Sequence, residues 1–168
     1  MSQVNAVWYA VVTDGSALKE PRLRAAVHPF FRGLDRGFVE AVSRGSVDAI
    51  YRRGEHLFRE GQPADRFIVL YHGAVALELP DPPASPRAIE TLGADEVIGW
   101  PALLDPYLWP FDARALQETR VVELDAATLR GTLESQPTEA ARLLGRLLPR
   151  VGRHIQLTYH LVRASTGP

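Results

Sequence analysis

Between Val47 and Leu124 apolar residues recur at every second position, in runs no longer than a strand. Val47, Ala49 and Tyr51, then Leu57, then Phe67, Val69 and Tyr71, then Val75, Leu77 and Leu79 alternate in this way. Successive side chains of a strand point to opposite sides of a sheet, so a period of two marks a strand with one buried face. Turn formers separate the runs at Arg53-Gly54, Gly61-Gln62-Pro63 and His72-Gly73. Further runs follow over 88–92, 97–98, 113–116 and 121–124. About eight short strands with regular turns predict a mainly β barrel, sandwich or roll. One stretch, Pro80 to Pro86, holds four prolines in seven residues. Proline breaks both helix and ladder, so this stretch is expected to be an exposed hairpin loop.

Helical spacing flanks the strands. Leu23, Val27, Phe30, Phe31, Leu34, Phe38, Val39 and Val42 fit two short helices parted at Pro29, with Asp35 as an N-cap and Gly45 as a stop. Asp125 is placed to cap a helix running to about Ser135, and Pro137 to open a longer one. On a helical wheel Ala140, Leu144, Leu147, Val151, Ile155, Thr158 and Val162 share one side, with Arg142, Arg146, Arg150 and Arg153 opposite. Pro149 lacks an amide hydrogen, which predicts a kink or a restart between Gly145 and Pro149. The first eighteen residues show no clean period. The organisation expected is an arm over 1–20, a strand-rich body with flanking helices over 21–136, and a long helix over 137–168.

At 168 residues the chain supports one core, and 46% hydrophobic with 23% charged residues suits a globular fold. Cys is absent, which excludes disulfides, thiolate chemistry and Cys-ligated metals. The apolar stretch Ala6 to Val12 has no basic residue before it and is too short to span a bilayer. A cytoplasmic protein without a membrane span is the expectation. The formal charge of -1 conceals an asymmetry, since 137–168 carries five Arg against one Glu. That segment could meet a partner of its own, and an acidic partner at Arg142, Arg146, Arg150 and Arg153 stands beside the alternative of a solvated helix face.

The stretch Leu57 to Val75, with Gly61, Ala64-Asp65, Phe67 and Gly73 in order, resembles the opening half of a cyclic-nucleotide-binding domain. His28-Pro29-Phe30-Phe31 with Leu34 resembles that family's opening helix. Leu92-Gly93, Glu96 and Ile98-Gly99 resemble its approach to the phosphate-binding loop, and Leu124-Asp125 its last strand. The resemblance implies a β-roll of jelly-roll type flanked by helices over about 28–163. It also implies a regulatory role, with the long C-terminal helix as a homodimer interface. Ala140, Leu144, Leu147, Val151, Ile155, Thr158 and Val162 are the candidate contacts, although a helix covering its own roll would show the same pattern. The chain runs to Pro168 without a recognition helix, so no sequence-specific DNA reading is expected.

Members of that family follow the glycine of the loop with a Glu that holds the ribose, and about ten residues on with an Arg that holds the cyclic phosphate. Gly99 and the apolar turn Ala102-Leu103-Leu104 match, but Trp100 stands for the Glu and Trp109 for the Arg. No Lys or Arg lies between Ile98 and Ala113, and using Arg114 instead would distort the spacing. A buried phosphate without a cation is costly, which disfavours ordinary binding of cyclic AMP or GMP; no cofactor is expected. The candidate pocket is Gly99, Trp100, Pro101, Ala102, Leu103, Leu104, Tyr107, Trp109, Phe111, Asp112, Ala113 and Arg114. Its aromatic rings either fill the old site, leaving a scaffold, or line a pocket for a flat or apolar ligand.

Two alternatives remain. One is a true cyclic-nucleotide sensor using Arg114 or backbone groups. The other is a cupin-like metal enzyme, which would need a His-x-His pair that His28, His56, His72, His154 and His160 do not form. No nucleophile or dinucleotide motif argues for catalysis, so neither an enzyme nor a metal site is expected.

Overall fold

The alternating runs fold into two four-stranded antiparallel sheets in a computed structural model that describes residues 25, 27–81 and 85–165. A 3-10 turn at Pro29–Phe31 and helix α1 (Arg36–Val42) come first. The strands are β1 (Val47–Tyr51), β2 (His56–Phe58), β3 (Arg66–His72), β4 (Ala74–Leu79), β5 (Arg87–Gly93) and β6 (Val97–Ile98). A second 3-10 turn, Trp100–Leu103, precedes β7 (Asp112–Ala115) and β8 (Thr119–Asp125). Helices α2 (Ala126–Ser135) and α3 (Pro137–Ser165) close the described chain. The first sheet orders its strands β1-β8-β3-β6 and the second β2-β7-β4-β5, which makes a mainly β roll of eight strands among the described residues. The arm expected over 1–20 and the first expected helix before Ala25 lie outside the described residues, as do 82–84 at the tip of the proline-rich loop.

Local chemistry sets the element ends. The Asp35 carboxylate accepts from the Phe38 amide at 2.9 Å, and Asp125 from the Thr128 amide at 2.7 Å. Each cap satisfies an otherwise orphaned donor and is worth ~1 kcal/mol. Hydrogen bonding to Thr128 holds the Asp125 carboxyl below the usual range. Gly73 turns β3 into β4 with φ 97°, and a Cβ there would meet Thr119 Oγ1 at 2.5 Å, so only glycine fits.

Strand β3 is buried on both faces, unlike the half-buried strand its odd positions suggested. Ile68 and Leu70 face the core between the sheets, while Phe67 and Val69 face a second core under the helices. That second core holds Phe30, Phe31, Phe38, Val42, Leu129, Leu143 and Leu147 around Val122 and Leu124. His28 stitches the two regions together. Its Nε2 donates to the Leu70 carbonyl at 3.0 Å and its Nδ1 accepts from the Phe30 amide at 3.2 Å.

Helix α3 bears on two expectations. It runs unbroken from Pro137 to Ser165, so no restart occurs between Gly145 and Pro149; both residues lie on its exposed surface, where water can serve the freed carbonyl. The arginines are more than a solvated stripe: Arg142 and Arg153 are exposed, yet three of the four reach other parts of the chain. Arg146 donates to the Phe30 carbonyl at 2.6 Å, Arg150 lies 5.2 Å over the Phe30 ring, and Arg153 pairs with Glu90 and Glu96. Only Arg142 keeps to its own helix, bonded to Glu139 at 2.9 Å. The apolar stripe also splits. Ala140, Leu143 and Leu147 are buried against the chain's own body and Val151 packs there in part. Leu144, Leu148, Ile155, Tyr159 and Val162 stay exposed.

Candidate functional site

The second half of α3 lies across the roll, and Leu157 and Leu161 pack against the core between the sheets. Between helix and roll is a cavity of about 360 Å³. The roll supplies Leu79 from the end of β4, Ile89 from β5, Trp100 from the 3-10 turn, and Pro110 and Phe111 from the loop before β7. The helix supplies His154, Ile155, Thr158 and Tyr159. Among the described residues, no Lys, Arg, Asp or Glu lines this space. Rings dominate its inner wall, with Phe111 4.7 Å from His154 and Trp100 6.0 Å from His154 and 6.4 Å from Phe111, centre to centre.

A smaller void of about 20 Å³ shares the walls Trp100, Phe111 and His154, and adds Leu77, Leu92, Val97, Ile98 and the charged groups Glu90, Arg150 and Arg153. A space of that size holds about one water molecule. Arg153 bridges Glu90 and Glu96, the latter at 2.8 Å, which ties α3 to β5 and to the turn before β6. His154 Nδ1 lies 3.7 Å from Glu90 Oε2 and has no hydrogen-bond partner. Burial lowers the His154 pKa, so the ring is neutral at pH 7. Burial also raises the Glu90 carboxyl, against the opposing pull of Arg153.

The candidate pocket residues disperse around this site. Trp100 and Phe111 reach the cavity. Gly99 does not open a loop toward it: a Cβ there would meet Phe67 Cδ2 at 2.4 Å, so the glycine admits the Phe67 ring. Pro101 and Ala102 are buried, and Leu103 packs in part on the helix-side core. The Ala102 carbonyl accepts from Arg130 at 2.7 Å, and the same guanidinium lies 4.5 Å over the ring of Tyr107. Leu104 and Tyr107 are exposed. Trp109, 1% exposed, stacks on Phe58 with ring centres 3.6 Å apart, and its indole N–H is buried without a partner.

Ala113 faces the core, so alternation turns Asp112 and Arg114 to the outer face of the second sheet. Asp112 accepts there from the Glu60 amide at 2.8 Å and from Arg59, and Arg114 is bound in bidentate fashion by Glu78. The nearest cation in sequence to the loop therefore points away from the cavity. Of the candidate helix contacts, Ile155 and Thr158 line the cavity. Leu79, Ile89, Pro110, His154 and Tyr159 were not among the candidates. The period of two along β4 puts Leu79 on the face of Val75 and Leu77, and helical spacing puts His154 one turn above Arg150, but neither pattern shows that α3 folds back over the roll. Among the described residues, no group of three His, Asp or Glu is arranged to hold a metal ion.

A family model described as a cyclic nucleotide-binding domain matches residues 49–136. A Mycobacterium tuberculosis protein described as a CRP-like cAMP-activated global transcriptional regulator is 25% identical over 123 residues, 73% of this chain and 55% of that one. The chain thus spans about half the length of that relative. In solved structures, a Geobacter metallireducens GS-15 protein described as cyclic nucleotide-binding superposes with TM-score 0.68 at 24% identity, covering 83% of this chain and 99% of that one. The N-terminal domain of a transcriptional regulator from Streptomyces coelicolor A3(2) gives TM-score 0.59 at 28% identity, covering 77% and 91%.

Proposed function

The chain belongs to the cyclic nucleotide-binding domain family, and from that premise we propose that it is a regulatory, non-enzymatic domain whose cavity under α3 takes a ligand other than a cyclic nucleotide. The observation that carries this reading is the character of the cavity wall: among the described residues it holds no cation, and Trp100 and Phe111 fill its inner side. A cyclic phosphate there would lose its hydration without gaining a charge partner, at a cost of several kcal/mol. The cations nearby are engaged. Arg153 is held by two carboxylates, and Arg114 faces the other side of its sheet with Glu78.

The reading includes a homodimer through the exposed side of α3. Ala141, Gly145, Leu148, Gly152, Ile155 and Tyr159 follow one another at alternating spacings of four and three, and all are exposed in the single chain. Such spacing builds a two-helix seam, and the glycines at 145 and 152 would let the helices approach closely. It also includes a cytoplasmic location; no described helix is long and apolar enough to cross a membrane.

Isothermal titration with cyclic AMP, cyclic GMP and cyclic di-GMP tests it. No heat of binding is expected. Micromolar binding of any of the three would make the domain a nucleotide sensor and overturn the reading.

A further inference from the structure

We propose that the cavity under α3 binds an uncharged, flat, largely apolar molecule bearing one hydroxyl group, and that this hydroxyl is held between His154 and Glu90. The inference rests on the reading that the cavity is a ligand site rather than spare volume, and it names the class of ligand.

Two spaces share the walls Trp100, Phe111 and His154, one suited to a body and the other to a head. The larger space, about 360 Å³, offers rings and aliphatic side chains, and such a volume suits a small organic molecule. Trp100 and Phe111 provide faces for a flat ring system. The smaller void, about 20 Å³, is bounded by the charged groups Glu90, Arg150 and Arg153, and His154 stands in the wall of both. It has room for one oxygen atom and its hydrogen.

The chemistry of the two side chains selects the head group. His154 is 6% exposed, and its Nδ1 is buried without a hydrogen-bond partner. Unpaired buried groups of this kind are uncommon in folded proteins and mark a place where something polar belongs. Nδ1 and Glu90 Oε2 are 3.7 Å apart, beyond a direct hydrogen bond yet within reach of one bridging atom. Glu90 is bound through Oε1 to Arg153, which leaves Oε2 as an acceptor. Facing a carboxylate, the imidazole is best served by carrying its proton on Nδ1, as a donor. The atom between them must then accept from nitrogen and donate to oxygen. A hydroxyl does both, whereas an ether or ketone only accepts and a carboxylate would bring a second negative charge against Glu90.

Titration of the whole chain with three probes separates these cases: 2-naphthol, 2-methoxynaphthalene and 2-naphthoate. The naphthol is expected to bind at least about tenfold more tightly than its methyl ether, the factor expected of one hydrogen bond to a charged group, and the naphthoate not at all. His154→Phe keeps a ring in the wall and removes the donor from which both oxygens accept, so it should weaken naphthol and ether alike. Glu90→Leu removes the acceptor that only the hydroxyl uses, so it should lower naphthol affinity to that of the ether while leaving the ether unchanged, with the folding of each variant checked by circular dichroism. Equal affinity for naphthol and ether in the unaltered chain, an equal loss of both in Glu90→Leu, or no loss of either in His154→Phe would overturn the role of the hydroxyl. Absence of binding by all three overturns the ligand class, and the reading that cyclic nucleotides are excluded then stands or falls on its own titration.

Discussion

Gly99 and Phe67 occupy space that only a glycine backbone can share with an aromatic ring: a Cβ at position 99 would lie 2.4 Å from Cδ2 and 2.8 Å from Cγ of Phe67. The glycine also has φ 157°, at the margin of what other residues adopt. The ring it admits is fully buried in the helix-side core, so it cannot swing away without opening that core. Gly99→Ala should therefore cost about 1–3 kcal/mol, the range of an overpacked site. Urea unfolding followed by circular dichroism measures the loss. Phe67→Leu alone costs stability too, but combined with Gly99→Ala it should cost less than the two separately, because the smaller side chain makes room. Additive losses would show that the contact is not what demands glycine.

Trp109 and Trp100 should respond differently to truncation. Trp109 is 1% exposed and stacked on Phe58, so Trp109→Ala leaves a large cavity between the sheets and should cost about 3–5 kcal/mol. Trp100 already borders open volume and should cost markedly less. Thermal unfolding of the two variants ranks them. A greater loss at Trp100 would mean that the cavity wall, rather than the stack, is the anchor of the fold.

The contrast marks how far the sequence could be read. The capping carboxylates Asp35 and Asp125 were legible because an N-cap is a local matter, settled within three residues. The strands were legible from their period, with ends shifted by a residue or two where hydrogen bonding rather than hydrophobicity sets the limit. Trp109 and Phe111 were legible as aromatic, but not the side of the roll each would take. Helix α3 was the least legible element. Leu147 binds the body while Leu144 does not, yet both read as members of one apolar stripe. Which half of a stripe is covered depends on where the helix lands, and that is decided by partners far away in sequence: Phe30 for Arg146, and Glu90 for Arg153.

His28 makes stability depend on pH. It is fully buried, accepts from the Phe30 amide and donates to Leu70, a pair of bonds that requires the neutral ring. Burial lowers its pKa below the ordinary 6.5, against the weaker pull of the Leu70 bond and Asp95. His154 is lowered by burial as well, with Glu90 and Arg153 facing it. A base that is harder to protonate when folded lets the unfolded chain take up protons first. Stability is therefore complete above pH 6.5 and declines as pH falls below it toward the folded values. Glu90, raised by burial, works in the opposite sense nearer its own range. The melting temperature should drop between pH 7.5 and 5.5, and His28→Gln, less stable at pH 7.5, should show a shallower drop. An equally steep fall in the variant would assign the effect elsewhere.

Leu148 is 67% exposed on α3, and Ile155 and Tyr159 beyond it are 58% and 57% exposed. Large apolar side chains in register along one helix are costly to leave in water, and the homodimer proposed above would cover them with a second copy of the same helix. If α3 pairs with its twin, Leu148→Glu places two carboxylates against each other at the seam and should yield a monomer in sedimentation equilibrium. In the isolated chain the same change touches an exposed position and should shift stability by no more than about 0.5 kcal/mol. The two effects separate by concentration. The melting temperature of the unaltered chain should rise with protein concentration, since association stabilises what it binds, and that of the variant should not. A chain that sediments as a monomer at every concentration, with a melting temperature indifferent to dilution, would remove the seam and leave α3 as a cover for its own roll alone.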